Sequence, residues 1–333
     1  MPVPKTPVAP PQEATLAPAK LAGEGVSVII AARDAAATIA RAVQSALNQP
    51  EAAQILVVDD GSTDTTADVA RACDPNGSRV EVLQAPQNLG PAGARNLALE
   101  RANQPFVAVL DADDIMLPER LGRLMAQAEG FDMVADDLCL SDEASPLSLQ
   151  GRLLDLPKPS AIDLSLKSFA EANISRPGRS RREMGFLKPL IRRRFLEAHG
   201  LRYQPELRLG EDYVFYAQAM AAGAKVRLVD ATGYVAVRRP NSLSGRHTLG
   251  DLAHLHAACL RLAAEASVDT PTRQALARHA ASVRRKLTHL EVLAQKKDAG
   301  VGAALKHLSR RHRDAPYVLA QTLRDKVQAR RKP

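Results

Sequence analysis

At 333 residues and 45% hydrophobic content, the chain is long enough for one substantial core plus an appendage. Its net charge of +8 is uneven: Pro271 to Pro333 hold 16 basic and 4 acidic residues, while the other 270 carry 29 and 33. Aromatics at 3% disfavour a base-stacking nucleic-acid platform, and no apolar run reaches spanning length. Cys73, Cys139 and Cys259 are odd in number and widely separated, which gives neither a disulfide framework nor a zinc spacing and suits a reducing cytoplasm. Residues 1–24 are rich in Ala and Pro, carry Lys5 and Lys20, and lack an apolar h-region; they read as a disordered arm, not a signal peptide. Val26 to Ile30 reads as a strand and Ala35 to Leu47 as a helix. Gln54 to Val58 is a second apolar run, closed by Asp59-Asp60-Gly61-Ser62-Thr63-Asp64, and Thr65 to Ala72 is a second helix. Arg79 to Gln84 makes a third strand. Asn88 to Asn96 is a glycine-bearing loop that enters a helix through Arg101. Phe106 to Leu110 is then a buried strand ending in Asp111-Ala112-Asp113-Asp114. The order βαβαβαβ implies a mostly parallel sheet covered by helices on both faces.

Buried strands do not end in three acids without compensation. Clustered carboxylates repel one another and stay ionised together only around a cation. Their hard oxygens suit Mg²⁺ or Mn²⁺, which would in turn hold a diphosphate. A polar turn with an Asp cap is the plain alternative, since a helical pattern begins soon after Pro118. In open α/β sheets, however, ligands bind beyond the carboxyl ends of the strands. Both acidic clusters and the glycine loop sit at such ends, and the turn-and-cap reading does not explain that convergence. The loop matches neither GxGxxG nor a Walker A, which argues against a dinucleotide dehydrogenase or a P-loop NTPase.

Val26 to Ile30, Val57 to Asp64, Asn88-Leu89-Gly90, Ala94-Arg95-Asn96 and Leu110 to Asp114 stand in the order of the family 2 glycosyltransferases. The chain resembles that family from Gly25 to Gly245, and within it is most similar to bacterial exopolysaccharide glucosyltransferases of the succinoglycan type. The resemblance implies a GT-A-like α/β domain over 25–250, with 25–125 as the nucleotide-sugar half, 126–250 as the acceptor and catalytic half, and 251–333 as a helical basic extension. It implies an inverting, metal-dependent transferase moving one sugar, with glucose as the donor choice, from a UDP-sugar. Asp59 and Asp60 match the pair near uracil and ribose, and Arg95 the arginine that helps hold the nucleotide; a solvated residue in the first turn of a helix is the plain alternative for Arg95. Asp111 and Asp113 match the DxD aspartates, with Asp113 the direct metal ligand and Asp111 nearer the ribose. Asp114 is an additional candidate at the metal or the donor sugar, and Ala112 belongs to the same donor set. Gly210-Glu211-Asp212-Tyr213 precedes a helical run from Val214 to Ala222 and matches the family's Glu-Asp pair; the resemblance makes Asp212 the catalytic base and puts Glu211 at the donor. Acids in a first helical turn can also simply favour the helix dipole. A positioned carboxylate suits the chemistry, because a sugar hydroxyl is a poor nucleophile until its proton is taken.

The pattern is broken after the first strand, where Ala31-Ala32-Arg33-Asp34 replaces the usual Pro-x-Tyr-Asn. The aromatic beside uracil is missing, so Arg33 or Asp34 is expected at the base. No Trp exists for the Gln-x-x-Arg-Trp motif of processive synthases, which argues for single-sugar transfer. Arg238 to Gly245, with Arg239 and Ser242, is either a basic loop over the diphosphate or an ordinary solvated loop. In the basic stretch Arg176 to Arg194, Lys188 or Arg192 is a candidate for an acceptor pyrophosphate, against a positively charged loop of no special function. The tail reads as helices from Arg273 to Lys296, Ala303 to Arg311 and Tyr317 to Arg330. Leu276, Val283, Leu287, Leu290 and Leu293 form an apolar stripe in the first of them. The tail is either a packed appendage with solvated charges or an attachment to an anionic membrane surface. Attachment suits a polyprenyl-diphosphate-linked acceptor and places the protein at the cytoplasmic face of the inner membrane; no nucleic-acid partner is expected. A sugar-nucleotide-binding scaffold and a sugar-phosphate nucleotidyltransferase are the competing functions. The latter calls for a glycine- and lysine-bearing loop that Ile30 to Ala37 does not offer.

Overall fold

The computed structural model describes residues 25–156, 161–174, 183–239, 247–265 and 267–331. The arm 1–24, Ser242 and residues 175–182 of the basic stretch fall outside them. The first half alternates as read: β1 (Val26–Ala32), α1 (Ile39–Leu47), β2 (Ala52–Asp59), α2 (Thr66–Ala72), β3 (Val80–Gln84), α3 (Gly90–Arg101) and β4 (Phe106–Val109). Shorter pieces follow: β5 (Ile115–Met116), α4 (Arg120–Met125), β6 (Met133–Asp136), β7 (Cys139–Asp142), β8 (Gly151–Arg152), β9 (Ala161–Leu164), α5 (Leu166–Ala172), β10 (Leu190–Arg192) and α6 (Arg193–Ala198). The chain then forms α7 (Glu211–Ala221), β11 (Val226–Val229), β12 (Tyr234–Arg238), α8 (Leu249–Glu265), α9 (Thr270–Arg310) and α10 (Ala315–Arg331).

The main sheet runs β3-β2-β1-β4-β10-β6-β11-β9. Parallel pairing joins β1 to β2 and β4, β2 to β3, and β6 to β11, while β10 and β9 enter antiparallel. A smaller sheet runs β5-β12-β7-β8, and its β5 follows directly on the acidic strand end. Continuous apolar runs predict burial on both faces, and the two cores follow the pleat. Ile29, Leu56 and Val58 face one core with Ala94 and Ala98 of α3 and Phe215 of α7. Val28, Ile30, Ile55 and Val57 face the other with Ile39, Val43 and Ala46 of α1 and Leu121 of α4. Because β1, β2 and β4 are parallel, with Ala32 beside Asp59 and Ile29 beside Val109, their carboxyl ends open on one edge. There the acids gather.

Two expectations are refined. The antiparallel β10 is wedged between β4 and β6, so the sheet is mixed beyond β4. Most of the apolar stripe of the tail is consumed in packing: Leu276, Val283 and Leu287 are buried in the core that also holds α8 residues, and Leu290 packs against it, while Leu293 is exposed. The expected break between the first two tail helices falls at Gly300, whose φ of 84° suits glycine and interrupts α9.

Candidate active site

The site is built on strand ends and one helix start. Gly210, in the left-handed conformation with φ of 71°, opens α7 so that Glu211 and Asp212 occupy its first turn. Their position satisfies the dipole reading and also aims both acids at the edge where β4 ends. Arg95, buried on α3, binds three carboxylates: Nη2 to Asp111 Oδ1 at 2.9 Å, Nη1 to Glu211 Oε1 at 2.8 Å, and Nη1 within 3.3 Å of Asp212 Oδ1. Lys188, buried two residues before β10, places Nζ 3.0 Å from Asp111 Oδ2 and 2.7 Å from Asp212 Oδ2. Two buried cations thus hold three carboxylates from opposite halves of the chain.

Burial opposes the Asp111 charge, yet Lys188 and Arg95 outweigh it and hold that carboxyl at about 2. Burial likewise disfavours the Lys188 ammonium, but Asp111 and Asp212 reverse the balance and raise its pKa, so it stays charged. Asp113 and Asp114 move the other way. Burial raises both, and the neighbouring charge of Asp111 adds to it. Asp114 accepts from Val237 N at 2.8 Å and from Tyr234 Oη at 2.8 Å, while Tyr234 Oη accepts the Asp111 amide at 3.1 Å. Tyr234 therefore fixes the acidic turn from the second sheet. Arg95 Nε and Asp212 Oδ1 are among the buried polar atoms of the centre that have no hydrogen-bond partner. Such buried vacancies are uncommon and call for a partner.

The upstream acids line the neighbouring strand ends. Asp59 accepts the Ser62 amide at 3.2 Å. Asp60 Oδ1 accepts Leu89 N at 2.6 Å, although burial pushes its carboxyl upward. Asp34, at φ 47°, accepts Thr63 N at 2.8 Å and donates its own amide to Ser62 Oγ, joining the end of β1 to the turn after β2. Ala31 lies beside Val58 in the ladder, Arg33 is exposed next to Asp34, and Ala112 is half-buried between its acidic neighbours. Arg239 reaches Asp113 at 3.5 Å and Glu143 at 3.7 Å.

Arg192 does not join this assembly. It pairs with Phe106 at the amino end of β4, and its guanidinium donates to Phe131 O and Ala128 O and lies 4.8 Å from the Phe106 ring centre. As a candidate acceptor contact it is corrected to a loop-tying residue at the far edge of the sheet. The reason is the antiparallel run of β10, which sends Lys188 and Arg192 to opposite edges.

Sequence reasoning missed Tyr234, Arg120 and Asp136. Arg120, fully buried, donates to Asp136 through Nε at 3.2 Å and Nη2 at 2.6 Å, and Nη2 also holds Lys188 O at 2.7 Å. Its guanidinium lies 5.0 Å from the Tyr234 ring centre. Asp136-Asp137 at the end of β6 repeats the acidic-strand-end signal and could have been found that way.

For a divalent cation, the donor chemistry fits in one form. Among the described residues no group of three or more His, Cys, Asp or Glu is arranged to hold a metal. Mg²⁺ is commonly held by one or two carboxylates together with substrate phosphates, and Asp113, whose carboxyl is pushed upward by burial and then by the Asp111 charge, suits that role. Both oxygens of Asp111 already face cations, so it is the second choice.

Residues 27–143 match the family model described as Glycosyl transferase family 2. The succinoglycan biosynthesis protein ExoU of Rhizobium meliloti is 44% identical over 304 residues, 91% of this chain and 88% of that protein. The chain belongs to glycosyltransferase family 2. An Escherichia coli glucosyltransferase, named UDP-Glc:alpha-D-GlcNAc-diphosphoundecaprenol beta-1,3-glucosyltransferase WfgD, is 38% identical over 97 residues, 29% of this chain and 38% of the relative. Among solved structures, S. aureus TarS residues 1–349 in complex with UDP-GlcNAc superposes with a TM-score of 0.65 at 20% identity, covering 84% of this chain and 79% of that one. The glycosyltransferase therefore has the GT-A fold, with a helical extension at its C-terminal end, as the motif order and tail pattern imply.

Proposed function

We propose that this glycosyltransferase moves one glucose, with inversion, from UDP-glucose to a lipid-linked glycan acceptor during bacterial exopolysaccharide synthesis, with Asp212 as the catalytic base. The observation that carries the reading is the carboxylate of Asp212. Lys188 pins one oxygen, while the other is buried beside Arg95 without a hydrogen-bond donor. An acceptor hydroxyl would supply the missing hydrogen-bond donor, and the Asp212 carboxylate would take its proton as the hydroxyl oxygen attacks the anomeric carbon. The nucleoside diphosphate leaves.

Mg²⁺ or Mn²⁺, held through Asp113 with Asp111 alongside, would stabilise the charge of the departing diphosphate. Arg95 is assigned to holding the nucleotide; its guanidinium, which already grips three carboxylates and has an unpartnered Nε, supports that reading. Asp59 and Asp60 are assigned to ribose and uracil, with Ala31, Arg33 and Asp34 along the base, and Ala112, Asp114 and Glu211 completing the donor side. Lys188, Arg239 and Ser242 remain the candidates for diphosphate or acceptor contacts. The name of the Escherichia coli relative supports a UDP-glucose donor and a polyprenyl-diphosphate acceptor. Such an acceptor favours peripheral work at the cytoplasmic membrane face; no described helix is long and apolar enough to cross a membrane.

The test is transfer of labelled glucose from UDP-glucose into a bacterial lipid extract with Mg²⁺ or Mn²⁺. Metal-dependent label in the lipid phase is expected. UDP protection against unfolding without transfer from any UDP-sugar would point to a sugar-nucleotide-binding scaffold instead.

A further inference from the structure

We propose that α10 docks the enzyme onto an anionic lipid surface through an apolar stripe formed by Leu319, Leu323 and Val327, flanked by Arg324 and Lys326. The three apolar residues recur every four positions, so they share one helix face, and they are 62%, 65% and 44% exposed. The opposite face is occupied: Val318 is buried, Asp325 lies 3.5 Å from His289 of α9, and the Arg285 guanidinium sits 6.0 Å from the Tyr317 ring centre. The helix start is anchored by buried Asp314, which accepts from Arg284 Nη2 at 2.9 Å and Thr288 Oγ1 at 2.9 Å. A helix fastened on one side therefore shows a row of large aliphatic groups to solvent on the other. The segment of α9 after Gly300 repeats the feature, with Val301 and Leu305 59% and 60% exposed next to Lys306.

Single exposed leucines need no explanation, but a periodic stripe with basic edges is the pattern of a helix lying in a bilayer interface. The stripe singled out in the sequence, Leu276 to Leu293, is largely absorbed by packing; this second stripe is not. Charge selects the occupant. Residues 271–333 carry 16 basic and 4 acidic groups, so a second copy on the same face would bring like charge against like charge. An anionic bilayer reverses that sign, so each basic group near the surface strengthens attachment. The proposal extends the reading of a lipid-linked acceptor but stands on the helix surface alone.

The experiment is co-sedimentation of the full chain with phosphatidylcholine vesicles, with and without phosphatidylglycerol, in the absence of donor and acceptor. Binding is expected only with phosphatidylglycerol. Leu319→Glu/Leu323→Glu is expected to weaken it by roughly tenfold or more, and Arg324→Gln/Lys326→Gln by several-fold. Both variants should keep UDP-induced thermal protection, which shows that they fold. Equal binding to neutral vesicles, no binding to either kind, or no loss in the leucine variant would overturn the proposal. So would a wild-type dimer in light scattering that the leucine variant makes monomeric, because the face would then be a contact between copies. Transfer to detergent-dispersed acceptor is read separately, so failure of docking and failure of the proposed reaction are distinguishable.

Discussion

The molecule holds two buried charge clusters that meet at Lys188, and they are constructed differently. In the first, Arg120 and Asp136 are a one-to-one pair with no exposed side-chain surface. Thr232 Oγ1 at 2.7 Å and the Thr232 amide at 3.2 Å fill the remaining capacity of Asp136, and Arg120 ends on the Lys188 carbonyl. In the second, Arg95 and the Lys188 ammonium face three carboxylates, Arg95 Nε and Asp212 Oδ1 lack hydrogen bonds, and Asp111 keeps 32% of its side chain exposed. The first cluster is balanced in charge, one cation against one anion, although Arg120 Nη1 is buried without a hydrogen bond. The second carries an excess negative charge and open positions, as expected of groups that must exchange partners when substrate arrives.

The largest expected effect lies in the balanced cluster. Arg120→Met leaves Asp136 buried and unpaired, and should cost about 3–5 kcal/mol in denaturant unfolding. The double replacement Arg120→Met/Asp136→Leu should recover much of that loss. Recovery absent from the double variant would mean that the bond from Arg120 to Lys188 O matters more than the pair.

A smaller effect comes from a buried group outside both clusters, and it separates general acid sensitivity from that of the site. Burial depresses the His279 imidazole to about 3; the ring stacks 4.0 Å from the Tyr213 ring. The unfolded chain binds a proton near the ordinary value of 6.5 and the folded chain does not. Stability should therefore fall as pH drops below about 6.5 and go on falling until about 3, by about 2 kcal/mol at pH 5. Melting curves at pH 7.5 and 5 for wild type and His279→Leu check this: the variant should lose that part of the slope.

The smallest effect concerns the cation. Asp113→Asn should raise the Mg²⁺ concentration needed for half-maximal transfer by roughly tenfold, about 1.4 kcal/mol, while the melting temperature changes little. An unchanged metal titration would move the cation to Asp111 or away from this turn.

Much of this organisation is readable in the chain. The apolar runs at Val26, Gln54 and Phe106 locate three central strands because burial on both faces permits no polar alternation, and the acids that follow them mark the edge where the site forms. Gly300 and Gly302 announce the interruption in the tail helices. What the sequence does not reveal is long-range and antiparallel. β10 is only three residues long. Nothing in its pattern says that it inserts beside β4, yet that insertion sends Lys188 to the acidic edge and Arg192 away from it. Tyr234 is equally silent, since its role depends on a second sheet whose strands span two to five residues, and so is Arg120, whose partner Asp136 ends the four-residue β6. Periodicity cannot identify elements that short.

The most direct test of the unbalanced cluster as the reaction centre is Asp212→Asn, with transfer from UDP-glucose and UDP binding measured on the same preparation. The account predicts at least about a hundredfold loss of transfer, UDP affinity within a few-fold of wild type, and a melting temperature that does not fall, because the substitution removes the excess charge. Transfer within a few-fold of wild type would contradict it, and the base would have to be sought elsewhere along the same edge of the sheet.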